Sequence, residues 1–211
     1  MEITLRRGLI WAVLAVGAFA LFGTSAVLAR PATQTEAPVV TFDDPSVVTG
    51  TTTLLRTHDG IRMTLKTTDL DPRATYTVWW VIFNNPEACA LEGVGHCVED
   101  DLFNPETGPS ILYAAGNVVS PNGKGNFAGS LKTGDLSGCQ PPWDGLELCA
   151  NGLEDPDGAE VHLVVRTHGE RVPGKVNEQI GTFAGACTAE SSFGAGDGPN
   201  DCEDQQVAIH Q

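Results

Sequence analysis

Histidine is the side chain best suited to hold a metal or move a proton near neutral pH. The chain has five, and four stand in or beside segments that alternate like strands: His58, His162, His168 and His210. His162 and His168 share one face of EVHLVVRTH, but the six positions between them, at about 3.3 Å each, set them roughly 20 Å apart, too far to share an ion. A cross-strand pairing of His58 with His168, joined by His210 from the C-terminal strand, is the arrangement that would build a metal site. A metal-dependent exported enzyme would follow from it. The competing reading is polar residues on a solvent face.

Carboxylates form the second candidate. Asp155, Asp157 and Glu160 flank Gly158 in EDPDGAE, and Asp197, Asn200, Asp201, Glu203 and Asp204 crowd the last loop. Calcium takes several oxygen ligands from loops of this kind, and Asp155, Asp157 and Glu160 are the candidate set, although neither segment has the spacing of an EF-hand. Turn formation by Asp, Pro and Gly explains both segments as well. No G-x-S-x-G, H-E-x-x-H, Walker or Rossmann glycine pattern occurs. Ser110, Ser130 and Ser137 carry no local mark of a nucleophile, and Glu99 with Asp101 reads as solvated charge rather than a glycosidase pair. Trp143, after two prolines in a cysteine-framed loop, is the candidate binding contact, with a lid over one end of the fold as its alternative. No catalytic residue emerges and no cofactor beyond calcium is implied.

The charge balance narrows the partners. Across 211 residues, 27 Asp and Glu face 12 Lys and Arg, a formal net charge of −15. That excludes nucleic-acid binding through bulk electrostatics, which needs a surplus of bases. With 41% hydrophobic residues there is material for one core.

Arg6 and Arg7 precede an uncharged stretch from Gly8 to Ala29, the layout of a secretory signal. Val27-Leu28-Ala29 offers a cleavage site before Arg30, with Thr24-Ser25-Ala26 as a second choice; an uncleaved helical anchor is the alternative. Cleavage would remove Glu2, Arg6 and Arg7, leaving 26 acids against 10 bases. The membrane enters only through this segment if it stays uncleaved, and the expected partner is an extracellular or envelope ligand.

Six cysteines, all beyond the signal, agree with export. Their spacing suggests three neighbour pairs: Cys89 with Cys97, Cys139 with Cys149 and Cys187 with Cys202. No C-x-x-C pair is present to suggest structural zinc.

The elements that would position these groups are strands. Residues 30–46 read as a Pro- and Thr-rich tether. Thr51–His58 and Ile61–Lys66 form a hairpin around His58-Asp59-Gly60. Thr75–Asn84 is apolar on both faces and should be central and covered on both sides. Ile111–Ser120 and Asn126–Lys132 are expected to pair across Pro121-Asn122-Gly123-Lys124-Gly125. Glu160–His168 alternates with Val161, Leu163 and Val165 inward, and Glu178–Gly185 and Gln205–His210 are further short strands.

Leu70-Asp71-Pro72-Arg73-Ala74-Thr75-Tyr76-Thr77-Val78 resembles the L-x-P-x-x-x-Y-x-V corner of fibronectin type III and related immunoglobulin-like domains. In those domains the tyrosine hydroxyl ties a turn back to the backbone. The resemblance implies sandwich architecture and no activity. The signal, the corner and the cysteine-framed loops are together similar to exported bacterial proteins of unassigned function. The expectation is an all-β, single antiparallel β-sandwich, immunoglobulin-like or Greek-key, of about eight short strands, spanning residues 47–187. Residues 188–211 follow as a loop and short strand pinned by a disulfide, and a signal helix precedes at 1–29. The expected role is an exported non-catalytic binding or structural module.

Overall fold

TYTVWWVIF, Thr75–Phe83, is buried along its whole length. A strand with apolar side chains on both faces is stable only where both faces are covered, and the rest of the chain is arranged to cover it. A computed structural model describes residues 31–90, 95–140, 149, 151–191 and 196–211; the signal segment and Trp143 lie outside them. Among the described residues no helix is long and apolar enough to cross a membrane.

Eight strands form one antiparallel sheet. They are β1 (Thr33–Thr41), β2 (Val48–Thr57), β3 (Gly60–Thr67), β4 (Thr75–Phe83), β5 (Pro109–Val118), β6 (Gly125–Lys132), β7 (Glu160–Thr167) and β8 (Glu203–His210). Their spatial order is β5-β4-β7-β8-β1-β2-β3-β6. The end strands β5 and β6 come back into contact, so the sheet curls into a nearly closed barrel. At this seam a Cβ on Gly129 would stand 2.8 Å from the Ala114 carbonyl oxygen, and only glycine allows the approach. Hydrogen bonding is therefore continuous through one sheet, where a sandwich would have two.

The inward face of β4 (Tyr76, Val78, Trp80, Ile82) packs with Val161, Leu163 and Val165 of β7 and with Leu54, Ile61, Met63 and Leu65 of the β2–β3 hairpin. The outward face (Trp79, Val81, Phe83) packs with Val164, Ile111, Leu102 and Phe183 and with the Cys89–Cys97 disulfide. Two irregular segments provide this outer cover. Residues 84–108 contain one-turn helices at Pro86–Ala88, Glu99–Phe103 and Pro105–Thr107, and residues 168–202 contain α1 (Val176–Gln179). Cys139–Cys149 and Cys187–Cys202 are also bonded, so all three neighbour pairs form.

Four expectations change. The tether is not a tether: residues 33–41 form β1, paired with β2 and, at its end, with β8. Its pattern is weak because only Val39 is buried, so its place follows from the two strands beside it. The C-terminal strand is not an appendage, since β8 lies between β7 and β1 and the sheet extends well beyond residues 47–187. Pro121–Gly125 is a turn, but β5 and β6 pair with β4 and β3 and meet each other only at the seam. Glu178–Gly185 is not a strand. Gln179 is fully buried at the end of α1, where its carboxamide accepts from Val172 N (2.9 Å) and donates to Thr75 Oγ1 (2.9 Å).

The Tyr76 hydroxyl is bonded at both sides within this single sheet. Asp71 N donates to the Tyr76 hydroxyl (3.1 Å), which donates in turn to Gln205 Oε1 (2.8 Å). It thereby ties the turn before β4 to β8.

Deleting residues 31–42 should abolish cooperative thermal unfolding, because β2 would lose one of its two partners along nearly its whole length and both β2 and β8 would become edges. Circular dichroism and calorimetry of the shortened chain test this; an unchanged melting temperature would show that the segment is a tether after all.

Candidate functional site

On the outer face of the sheet the register stacks side chains into rows. Val81, His162 and Ile209 make one row; Trp79, Val164, Val207 and Val40 the next; Thr77, Arg166 and Asp204 the third. The covering segments do not close over these rows completely. They leave a cleft of about 540 Å³ with Trp79, Val81, Val164 and Val207 as its floor. Val98 and Leu102, Phe42 and Pro45, and Phe183 complete its apolar lining. Trp79 is held by edge-to-face contacts with Phe183 and Tyr113, at centroid distances of 5.0 and 5.7 Å.

The polar groups lie towards the two ends of the floor. His162 stands at one end with His96 beside it, their ring centroids 5.9 Å apart. Asp204, Glu203 and Glu99 stand towards the other, and no Lys or Arg lines the cleft among the described residues. Four residues along β7 separate the ends, about 13 Å. Burial raises the Asp204 carboxyl above its ordinary range even though Arg166 Nη1 bonds it at 3.0 Å. Partial burial, and then the charges of Asp204 and Asp100, raise Glu99. Arg166 itself is fully buried, donates to the Phe183 carbonyl (3.3 Å) and sits 4.0 Å over the Phe183 ring. Its charge serves to hold the wall of the cleft.

The structure separates the four histidines singled out in the sequence. His58 is exposed in the β2–β3 turn, 2.9 Å from Asp59. His210 is buried against Thr35 Oγ1 (2.8 Å). His168 is fully buried, which corrects its expected place on a solvent face: β7 is covered on its outer side as well. Trp79 Nε1 donates to Thr77 Oγ1 (2.7 Å), the Thr77 hydroxyl donates to His168 Nε2 (2.8 Å), and Nδ1 donates to the Gly185 carbonyl (3.1 Å). This chain is satisfied only by a neutral imidazole. No His58–His168–His210 site exists.

His162 is also buried, and its partner is Glu160 rather than a second histidine. Glu160 was grouped with Asp155 and Asp157, but its carboxylate turns to the outer face, where Oε1 bonds His162 Nε2 (2.7 Å) and accepts from Cys97 N (2.7 Å). Burial pushes the Glu160 carboxyl up, but the bonds from His162, Cys97 and Gln211 outweigh this and hold it below its ordinary value. Asp155 and Asp157 remain in their turn, with Asp155 Oδ1 accepting from Asp157 N (3.0 Å). The buried Arg56 guanidinium bonds the neighbouring Pro156 and Ala159 carbonyls (2.7 and 2.9 Å). With Glu160 committed to His162 and Cys97, the three carboxylates are not brought together as a calcium set.

The remaining candidates are structural. Asp101 accepts from Ala90 N and Val98 N (2.9 and 2.8 Å) and so braces the 84–108 segment. Ser110 is fully buried with its hydroxyl unbonded, while Ser130 and Ser137 are exposed. His96 was not singled out by the sequence reading, because it stands in a loop without periodicity; its position one residue before Cys97 was the available signal.

Continuous hydrogen bonding, a doubly covered strand and an apolar cleft beside disulfide-closed segments define an all-β, barrel-like domain with a cleft on its outer face. No family model, curated protein or solved structure matches the chain.

Burial lowers His168 and His210 from 6.5 to about 4, with nearby Arg166 and Arg56 adding to the shift. Both bind a proton less tightly when folded, so their contribution to stability is complete above about pH 6.5 and is lost as pH falls through about 4. For His168 the gap corresponds to roughly 3 kcal/mol. Asp204, raised by burial, acts in the opposite sense, so a variant comparison isolates the histidine. His168→Gln should be less stable at pH 7.5 yet lose about 2 kcal/mol less than the parent between pH 6.5 and pH 4.5 in urea unfolding; equal losses would exclude His168 as the titrating group.

Proposed function

We propose that the chain is an exported, non-catalytic binding module that takes a small apolar ligand, neutral or cationic, in the cleft over β4, β7, β8 and β1. The observation that carries this reading is the cleft itself, about 540 Å³ with an apolar floor and walls. Ligand sites typically have such a volume and a mainly hydrophobic lining with few polar groups. The lining carboxylates Glu99, Glu203 and Asp204 select against anions, which would meet both repulsion and desolvation.

Export is supported by the signal-like N-terminus and by three disulfides, which form and persist in oxidising compartments. The tyrosine corner supports a local likeness to immunoglobulin-like domains and carries no ligand preference. The buried or isolated positions of His58, His168 and His210 do not support an enzyme built on them.

A neutral naphthylamine probe titrated against the secreted, untagged protein in EDTA should bind saturably at one site and change the emission of Trp79. Val207→Trp, which fills the floor, should weaken binding at least tenfold without loss of β-sheet signal, and a long-chain carboxylate should bind more weakly than the neutral probe. Absence of saturable binding, or unchanged affinity in the folded variant, would overturn the proposal.

A further inference from the structure

Three groups of metal-ligating side chains converge among the described residues. Two of them, His168 with Cys187 and Cys202 and Asp101 with Cys89 and Cys97, contain disulfide-bonded sulfurs and have no thiolate to offer. The third is His96, Glu160 and His162, in which one ligand atom of each residue lies within 4.8 Å of the other two.

We propose that His96, Glu160 and His162 form a three-ligand site for a divalent first-row transition ion of the Zn²⁺ class, with its remaining position open to the apolar cleft.

The donor set is two imidazoles and one carboxylate, which suits zinc and its neighbours and is too poor in oxygen for calcium. Bond lengths of about 2.0 to 2.2 Å place neighbouring ligand atoms of a tetrahedral zinc site roughly 3.4 Å apart. His162 Nε2 and Glu160 Oε1 stand 2.7 Å apart and the His96 ligand atom lies within 4.8 Å of a ligand atom on each, so small side-chain adjustments bring the three to that spacing. His96 Nδ1 lies 2.7 Å from its neighbour's carbonyl, Cys97 O, to which it can only donate. That bond fixes the tautomer and leaves the Nε2 lone pair for a metal, the role that a backbone carbonyl commonly has behind a ligating histidine. With an ion in place the hydrogen bond between His162 and Glu160 opens: the proton on His162 Nε2 passes to solvent, the neutral ring carries its proton on Nδ1, and both former partners become ligands.

The site is also preorganised. Glu160 and His162 stand on β7, two residues apart on one face. His96 is anchored through Cys97, which is bonded to Cys89 and donates its backbone N–H to Glu160. Gln211 Nε2 donates to the second Glu160 oxygen at 3.3 Å, orienting the carboxylate. His96 and His162 line the cleft, which leaves room for a water or a ligand donor on the open side.

The proposal does not rest on the apolar-ligand reading, whose probe is titrated in EDTA. Chelator-stripped, untagged protein titrated with ZnCl₂ in a calorimeter should take up one zinc per chain with micromolar or tighter affinity, and CaCl₂ should give no comparable heat. His96→Ala, at a half-buried loop position, should keep the melting temperature of the metal-free protein and lose at least tenfold in zinc affinity. His58→Ala should leave affinity unchanged, and His162→Gln should weaken it as His96→Ala does; if His162→Gln does not fold, His96→Ala decides alone. No stoichiometric zinc uptake, or parental affinity in a folded His96 or His162 variant, would overturn the inference.

Discussion

The structure depends on β4 being apolar on both faces. Trp79 and Trp80 are adjacent in sequence, point in opposite directions and are both fully buried. A single open sheet protects one face and leaves the other wet. Curling the sheet encloses Tyr76, Val78, Trp80 and Ile82. The outward set, Trp79, Val81 and Phe83, then needs a second cover, and no second sheet supplies it. The described residues of 84–108 and 168–202 do so without a strand, and the cleft is what their incomplete cover leaves open.

Irregular segments can cover an apolar surface only if their own backbone groups find partners. Buried polar side chains provide many of them here. Arg56 holds three carbonyls at one end of the barrel, Gln179 bonds the chain near His168 and Thr75, and Asp101 braces the 84–108 segment. Such groups are costly to bury and strongly destabilising when their partners are removed. Disulfides complement them by limiting the freedom of the same segments in the unfolded chain. The covers are thus positioned by specific bonds, which is what a site assembled from loop and strand residues requires.

Local pattern made part of this legible. The β2–β3 hairpin and the central place of β4 follow from period-two alternation and from apolar residues on both faces, and the three cysteine pairs follow from short spacings. Non-local pairing was not legible. β1 buries one residue fully and resembles a tether by composition, and β8 has no local signal that it inserts between β7 and β1. The Pro121–Gly125 turn signal is genuine, but the curl of the sheet sends the two strands it joins to different neighbours. The histidines show the same limit. Spacing along β7 sets His162 and His168 apart, and they bond different partners, Glu160 and Thr77, whereas the meeting of His96 with β7 depends on how a disulfide-closed segment folds back onto the sheet.

The acid excess acquires a location from the fold. The two arginines nearest the barrel ends and the cleft, Arg56 and Arg166, are buried and committed to backbone carbonyls, to Asp204 and to the Phe183 ring. The ionisable groups that line the apolar cleft are carboxylates and histidines, with no Lys or Arg among the described residues. Its potential is therefore negative at a surface whose dielectric response is weaker than water, where each uncompensated carboxylate counts for more than it would in solvent. An anion entering would lose hydration and meet repulsion at once. A neutral apolar molecule loses little, and a cation near His96 and Glu160 or near Glu99 and Glu203 gains. The same distribution thus favours neutral and cationic occupants on the apolar floor and a divalent ion at its end, without requiring that the two bind together.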